Sequence, residues 1–295
     1  MAAVTGKVLP RVQGILDDEK YFLTSLDTYF SRVREGTDWQ TGIIAEIKPR
    51  IIQSVNESTG KTFKALGIGS GSGRDEDFFV SHFQPHFEEI HQCIVEPNKD
   101  FINQHKTRVL QNELKGVTYE WREERVEEFM TSLKENEKYH FITAIHSLYY
   151  VHNLEEILGF LYDKLEENGI LLTVLTTETG VNKRVVSIIP SQYTKIIWTS
   201  SRSILDCFRT KGITAEVYDY PLMVDVSGCL DKDPSDDASM LLDFLTHVKG
   251  FTKAPLEAGM KEEVFATIRE MVTNSPRSEC AAEGNGVVIV QKKGH

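Results

Sequence analysis

Ala65-Leu-Gly-Ile-Gly-Ser-Gly-Ser-Gly73, followed further along by Ile94-Val-Glu-Pro97, decides the fold of this chain. An apolar run at 63–68 enters a turn with glycine at 67, 69, 71 and 73, and Arg74-Asp-Glu-Asp-Phe-Phe79 reads as the start of a helix. A second apolar run, 92–96, ends on a single acid, Glu96. Glycines let the backbone approach a ligand closely, and an acid at the end of the next strand accepts hydrogen bonds from two ribose hydroxyls. A glycine turn alone reads equally well as a plain loop. With the acid on the neighbouring strand it predicts a nucleoside-containing cofactor held by Gly69, Gly71, Gly73 and Glu96.

The helix start separates the candidate cofactors. A dinucleotide places its pyrophosphate on the N-terminus of the helix after the glycine turn. Here Asp75, Glu76 and Asp77 occupy that first turn; they suit the helix dipole but repel phosphate. S-adenosylmethionine (SAM) has no phosphate and carries a sulfonium cation, so nearby acids are tolerable. Glu96 lies somewhat farther past Gly69 than the ~20 residues of a short βαβ unit, which leaves room for a helix and a loop. The expectation is SAM, with S-adenosylhomocysteine as its product, ahead of NAD.

A chain of 295 residues with 40% apolar and 26% charged content folds as one large domain or two small ones. Its net charge of −11 argues against nucleic acid, since phosphate neutralisation needs clustered Lys and Arg. A small or cationic substrate fits better, although surface acids also serve solubility. Cys93, Cys207, Cys229 and Cys280 are scattered without metal-ligand spacing and read as free thiols. Residues 1–10 lack an apolar core of signal-peptide length, and no run reaches the ~18 apolar residues of a membrane span. A cytoplasmic protein without a membrane segment is expected.

Residues 15–57 read as two helices joined near Arg34-Glu-Gly-Thr-Asp38, because Tyr21, Phe22, Leu26, Tyr29 and then Ile43, Ile47, Ile51 recur at helical spacing. They form an expected cap spanning 10–60. Strands are expected at 63–68, 92–96, 117–121, 140–146 and 170–176, with helices at 99–111 and at 154–167, the latter stopped by Asn168-Gly169. A helix at 203–211 follows, and 215–226 with 286–291 read as a final antiparallel pair. Between those two strands, helices are expected around 241–248 and 261–272. Such alternation predicts a single α/β domain with a doubly wound, mostly parallel sheet. Residues 61–226 and 284–293 would build the sheet, and 227–283 an insertion on the substrate side.

Ligands of open α/β sheets lie beyond the carboxyl ends of the strands. The segment Ala144-Ile-His-Ser-Leu-Tyr-Tyr-Val151 ends such a strand, so His146, Tyr149 and Tyr150 project near the cofactor. His146 reads either as a structural histidine or as a catalytic and substrate-orienting group. The tyrosines read either as packing or as an aromatic wall for a flat or cationic ligand. Glu123, Glu124 and Arg125 follow the third strand, as adenine-side contacts or as a solvated charge run. Methyl transfer from a sulfonium requires mainly an acceptor lone pair held in line, so the lack of a nucleophilic triad is no objection.

Gly67-Ile-Gly-Ser-Gly-Ser-Gly73, Val95-Glu-Pro97, Leu148-Tyr-Tyr-Val151 and Leu241-Leu-Asp-Phe-Leu-Thr246 together resemble the histamine N-methyltransferase family, and the resemblance runs over nearly the whole chain. Trp121, Tyr218-Asp219 and Asp225-Val-Ser-Gly-Cys229 agree with it. It implies a Rossmann-like class I SAM-dependent methyltransferase with a seven-stranded, mostly parallel sheet, acting as a cytosolic monomer on a small amine. Carried over by position, Gly69 and Glu96 hold SAM, Ile145 contacts its adenosine end, and Glu35, between the first two helices, anchors the substrate's amine. Phe101 and Val126 stand where the family uses polar cofactor contacts, which implies backbone or stacking contacts there. Phe244 belongs to the substrate wall. His146 replaces a family Gln, and Glu283 falls where the family has an Asn, with Asn285 as the alternative register. The family's Trp-lined wall becomes Gly180-Val-Asn-Lys-Arg-Val-Val186, without aromatics. Each lost aromatic contact with a cation is worth about 0.5–2 kcal/mol. An imidazole-containing amine such as histamine, carnosine or a histidine derivative is the implied substrate. Methylation of another small metabolite, a non-catalytic SAM-binding module and, last, an NAD-linked oxidoreductase are the competing readings.

Overall fold

The computed structural model describes residues 12–36, 38–57, 62–112, 114–194 and 198–294; the stretch 1–10 and Thr37 of the expected helix joint lie outside them. After a single 3-10 turn at Ile15–Asp17 come helix α1 (Glu19–Arg32), strand β1 (Val33–Gly36) and helix α2 (Trp39–Glu57). Then β2 (Thr62–Ile68), α3 (Arg74–Phe83), β3 (Glu89–Val95), α4 (Lys99–Gln111), β4 (Val117–Arg122), α5 (Val126–Ser132), β5 (Tyr139–Ile145), α6 (Leu154–Asp163) and β6 (Leu165–Thr176) alternate. The remaining elements are α7 (Val181–Val186), α8 (Ser191–Thr194), α9 (Ser201–Thr210), β7 (Glu216–Asp225), α10 (Asp236–Thr246), α11 (Met260–Thr273) and β8 (Cys280–Gln291). They divide into a sheet unit (37–177, 199–220, 285–295) and a second unit (1–36, 178–198, 221–284).

In the sheet unit the strand order is β7-β8-β6-β5-β2-β3-β4. Strand β2 runs parallel to β3 on one side and β5 on the other, β3 is parallel to β4 and β5 to β6, while β8 is antiparallel to β6. The chain therefore winds outward from β2 through β4, returns to β5 and winds the other way. That reversal leaves a topological switch point between the carboxyl ends of β2 and β5, where ligands bind in open α/β sheets. The expected doubly wound, mostly parallel sheet is what forms. All seven residues of β5 are buried, as for a parallel strand covered on both faces. Helix α2 buries Ile43, Ile47 and Ile51 along one stripe, and α3 buries Phe79, Val80 and Phe83. Phe63, Phe83 and Phe141 meet with ring centroids 4.9 and 5.6 Å apart, and Phe79 meets Phe141 at 5.4 Å. These rings anchor the helix that follows the glycine turn.

In the second unit α1 lies against α10, with Tyr29 stacked on Phe244 at 4.7 Å. Ile15, Val181, Val185, Leu241, Leu245, Val264 and Ile268 belong to its fully buried core. Asp243, in the Leu241–Thr246 motif, accepts from the Tyr21 hydroxyl at 2.6 Å and from Phe251 N at 2.8 Å. Strand β1 pairs antiparallel with β7 through Val33↔Val224 and Gly36↔Leu222.

Several expectations need correction. The first two helices are joined by β1, so the described residues form eight strands rather than seven; four residues are too few to show an alternation, and the pairing is with a strand about 190 positions away. Helix α6 stops at Asp163, short of 167. The Asn-Gly signal is instead an irregularity within β6: Asn168 has φ +61° and its N–H donates to Lys292 O. Strand β5 ends at Ile145, leaving His146 beyond it. Helices α5, α7 and α8 had no counterpart in the sequence pattern. Helix α4 falls on the expected 99–111.

Candidate active site

The glycine turn is built at the carboxyl end of β2. Gly69, Gly71 and Gly73 have φ of +61°, +53° and +74°, a backbone that side chains rarely adopt. Gly69 N–H donates to Val95 O and Gly73 N–H to Ser70 O, both at 2.8 Å, closing the turn. The space around the three differs. A Cβ at Gly69 would lie 2.4 Å from Ser147 Cβ, and one at Gly73 would lie 2.0 Å from the His105 ring, but one at Gly71 would meet nothing within 4 Å. Room for a ligand is therefore above Gly71, while its two neighbours are pressed against the protein.

Glu96 faces that room. It is buried, and its two oxygens accept from Gly71 N–H and Asn98 N–H, each at 2.8 Å. These two bonds orient the carboxylate toward the turn. Asn98 also caps α4, its Oδ1 accepting from Asp100 N and Phe101 N. Phe101 thus sits in the first turn of α4, half-buried. Val126 opens α5, and Ile145 ends β5 beside β6 through Ile145↔Val174; both are buried.

The three acids of the helix start have separate roles. Burial raises Asp75, whose carboxylate takes the Gln40 amide at 2.5 Å. Asp77 is held by His105 and Arg108 at 2.8 and 3.3 Å. Glu76 lies under the turn, where burial and then the Asp75 charge push its carboxyl up to about 8. It accepts from Thr143 Oγ1 at 3.3 Å, and its Oε2 has no protein partner. Arg74 opens this helix and Arg108 reaches its first turn, but Asp75 and Asp77 lie beside them and offset their charge for a pyrophosphate, whereas a nucleoside that approaches Gly71 and hydrogen-bonds Glu96 fits. SAM satisfies both conditions.

On the other side of the switch point, His146 has φ +51°, a strained setting for a non-glycine residue and one that concentrates at active sites. Its ring is reached by solvent, yet surrounding protein lowers its basicity to about 4, opposed by the neighbouring Asn285 amide. Nδ1 lies 3.1 Å from the Tyr149 hydroxyl, which itself accepts from Thr176 N–H at 2.7 Å. The hydroxyl has a second lone pair as well as its own hydrogen, so the direction of its bond with Nδ1 follows the imidazole tautomer. Tyr149 is buried and packs edge-on against Tyr150 at 5.9 Å; burial also raises the Tyr150 phenol. Ser147 Oγ, on the same loop, is buried without a protein partner.

The sheet unit thus brings Gly69, Gly71, Gly73, Glu96, Phe101, Val126, Ile145, His146, Tyr149 and Tyr150 to the carboxyl edge of its strands. Glu35, Phe244 and Glu283 belong to the second unit. Glu35 lies in β1, at the irregular step between Arg34 and Gly36, rather than in a loop. Phe244 is stacked between Tyr29 and Phe22. Glu283 is buried and accepts from Asn182 N–H at 2.9 Å, at the start of α7. Sequence reading missed Asn98, although Asn before a helical run is a recognisable cap. It also missed Glu76 as a neutral acid, His105 and Ser147, for which spacing carries no signal.

Residues 43–218 match a family model described as a methyltransferase domain. The chain is 26% identical to histamine N-methyltransferase of Danio rerio, over 93% of this chain and 94% of that one. It is likewise 26% identical to carnosine N-methyltransferase 2 of Gallus gallus, over 83% and 76%. Among solved structures it resembles phosphoethanolamine N-methyltransferase 2 of Haemonchus contortus in complex with S-adenosyl-L-methionine, with a TM-score of 0.51 at 12% identity, covering 95% of this chain and 59% of that one. The family match spans the switch point, the glycine turn and Glu96, and the chain therefore belongs to the methyltransferase domain family, with S-adenosylmethionine as its cofactor.

Proposed function

We propose that this methyltransferase transfers the methyl group of SAM to a nitrogen of a small imidazole-containing amine, with histamine, carnosine and histidine derivatives as the candidate acceptors. The observation that carries this reading is the neutral, solvent-reached imidazole of His146, on a loop pressed against Gly69 so closely that a Cβ there would lie 2.4 Å from Ser147. When bound, SAM supplies an activated methyl on a sulfonium. The protein's part is to bind and orient: Gly71 and Glu96 would fix the ribose, and His146, held by Tyr149, would orient the acceptor with its nitrogen lone pair left free to face the methyl. A neutral His146 adds no charge that would disfavour an amine. The histamine and carnosine methyltransferases among the relatives support the acceptor class.

For Glu35 the proposal is that its carboxylate binds the acceptor's distant ammonium group, and for Phe244 and Glu283 that they shape acceptor preference. Glu35→Gln then raises KM more than it lowers kcat, because a remote anchor contributes mostly uniform binding; a collapse of kcat at unchanged KM would reject the anchoring role. A cytoplasmic monomer is proposed as well, supported by four free thiols and open to test by sedimentation. Among the described residues no helix is long and apolar enough to cross a membrane.

The deciding experiment has two stages. Calorimetry with S-adenosylhomocysteine should show binding that Glu96→Ala abolishes. Methyl transfer to histamine, carnosine, histidine and simple amines then tests the acceptor. Transfer confined to acceptors without an imidazole would overturn the substrate proposal and leave the methyltransferase standing.

A further inference from the structure

Helix α4 connects the two halves of the cofactor grip, and one of its side chains is buried against the glycine turn. His105 is fully buried. Its Nε2 lies 2.8 Å from Asp77 Oδ1, and its ring stands edge-on to Trp121 at 4.9 Å. A Cβ on Gly73 would lie 2.0 Å from both Nδ1 and Cε1, so the imidazole rests on the α carbon of the last glycine in the turn. One turn further along α4, Arg108 Nη1 donates to Ser72 O at 2.6 Å and to Asp77 Oδ2 at 3.3 Å. At the start of the same helix, Asn98 donates its N–H to Glu96 Oε1 and caps the helix with its own Oδ1.

Two physical points give this arrangement a purpose. Glycine enters the left-handed region without strain but has the most backbone freedom to lose, so a glycine turn needs neighbours to fix its shape; here α4 supplies a ring on Gly73 and a guanidinium on Ser72. His105 Nδ1 has no protein partner, a destabilising condition for a buried polar atom. An apolar ring would fill the same volume without that penalty, so the feature retained is the Nε2 bond to Asp77. Asp77 belongs to α3, the helix that leaves the turn.

We propose that His105 is a positioning residue for the cofactor. Through Asp77 and Gly73 it holds the turn in the shape that keeps the space above Gly71 open, and α4 ties that shape to Glu96. It does not touch SAM. The inference rests on the cofactor site and is independent of the acceptor.

The test is calorimetric titration of the full chain with S-adenosylhomocysteine, comparing wild type, His105→Ala and His105→Gln, beside the melting temperature of each without ligand. Both variants remove the ring, so a purely structural role would lower both melting temperatures and leave affinity alike in the two. Only Gln can still donate to Asp77. The expected result is a Kd raised about tenfold or more by Ala and restored to within about threefold of wild type by Gln. Wild-type affinity in His105→Ala, or equal weakening by Ala and Gln, overturns the proposal. Should His105→Ala not fold, Arg108→Gln, on a side chain 27% exposed, carries the test: several-fold weaker binding supports the brace and unchanged binding rejects it. Failure of the wild type to bind the ligand would instead sink the cofactor reading itself.

Discussion

Replacing Glu76 by glutamine should stabilise the protein, and by an amount that depends on pH in a fixed sense. The carboxyl is 4% exposed, and its value is pushed from 4.5 to about 8, first by burial and then by the Asp75 charge. Below pH 4.5 the group is protonated folded or unfolded, and no penalty arises. Between 4.5 and about 8 the unfolded chain ionises while the folded one holds its proton, so stability falls as pH rises through this window and is level above it. At about 1.36 kcal/mol per pH unit the whole window is worth ~5 kcal/mol. Glutamine has the shape of the protonated acid, keeps an acceptor for Thr143 and never ionises. Glu76→Gln is thus expected to be near neutral at pH 4, to gain about 3 kcal/mol at pH 7 and about 5 kcal/mol at pH 9. Urea unfolding of both proteins at the three pH values measures the difference. A gain that is constant with pH, or greatest in acid, would refute a neutral carboxyl under the turn.

Gly71→Ala and Gly73→Ala share a backbone penalty of about 1–2 kcal/mol and should part company otherwise. The Gly71 methyl enters open space and is expected to weaken S-adenosylhomocysteine binding with a modest change in melting temperature. The Gly73 methyl meets His105 and should destabilise the protein by a further 1–3 kcal/mol or so; equal melting temperatures would contradict the different surroundings of the two glycines. Tyr149→Phe frees His146 Nδ1 and strands the Thr176 N–H, so we expect kcat/KM to fall about tenfold with S-adenosylhomocysteine affinity unchanged. An equal loss of cofactor affinity would assign Tyr149 to the wrong partner. Because the folded value of His146 is lowered, its contribution to stability is present above pH 6.5 and lost as pH falls toward about 4. A His146→Gln variant should therefore lose less stability on acidification than wild type, and its kcat/KM profile should match wild type near pH 6.5; a wild-type break there that the variant lacks would show His146 titrating in the active range.

The parts of this fold legible in the sequence are those carried by local pattern. Apolar runs separated by helical stretches gave the parallel sheet, and the glycine turn and Glu96, paired in the sequence reading, meet in the structure through the Gly71 N–H. Helix α4 was readable to the residue as the helical stretch after the strand at 92–96, although its Asn98 cap went unread. What escaped depends on long-range pairing or on conformation. Strand β1 is four residues whose partner lies in β7. Asn168-Gly169 carries a helix-stop signal, yet its backbone bonds go to Lys292. The left-handed backbone of His146 and the seat of His105 on Gly73 are properties of packed neighbours, and single-sequence spacing contains neither. Resemblance supplied Glu35, Phe244 and Glu283, which composition and periodicity alone would have left as a surface charge, a core ring and another acid.

Strand β8 follows every other described strand of the sheet in the chain, yet it sits inside the sheet order, between β7 and β6. While the chain is still being synthesised, β6 exposes a row of unpaired amides and carbonyls along its buried stretch Ile170–Leu175, apolar but for Thr173. Such an edge invites pairing with another nascent chain. The cell's difficulty with this protein should accordingly be greatest before its final strand emerges, and frameshift products lacking β8 should be recovered as aggregates rather than as partly active enzyme.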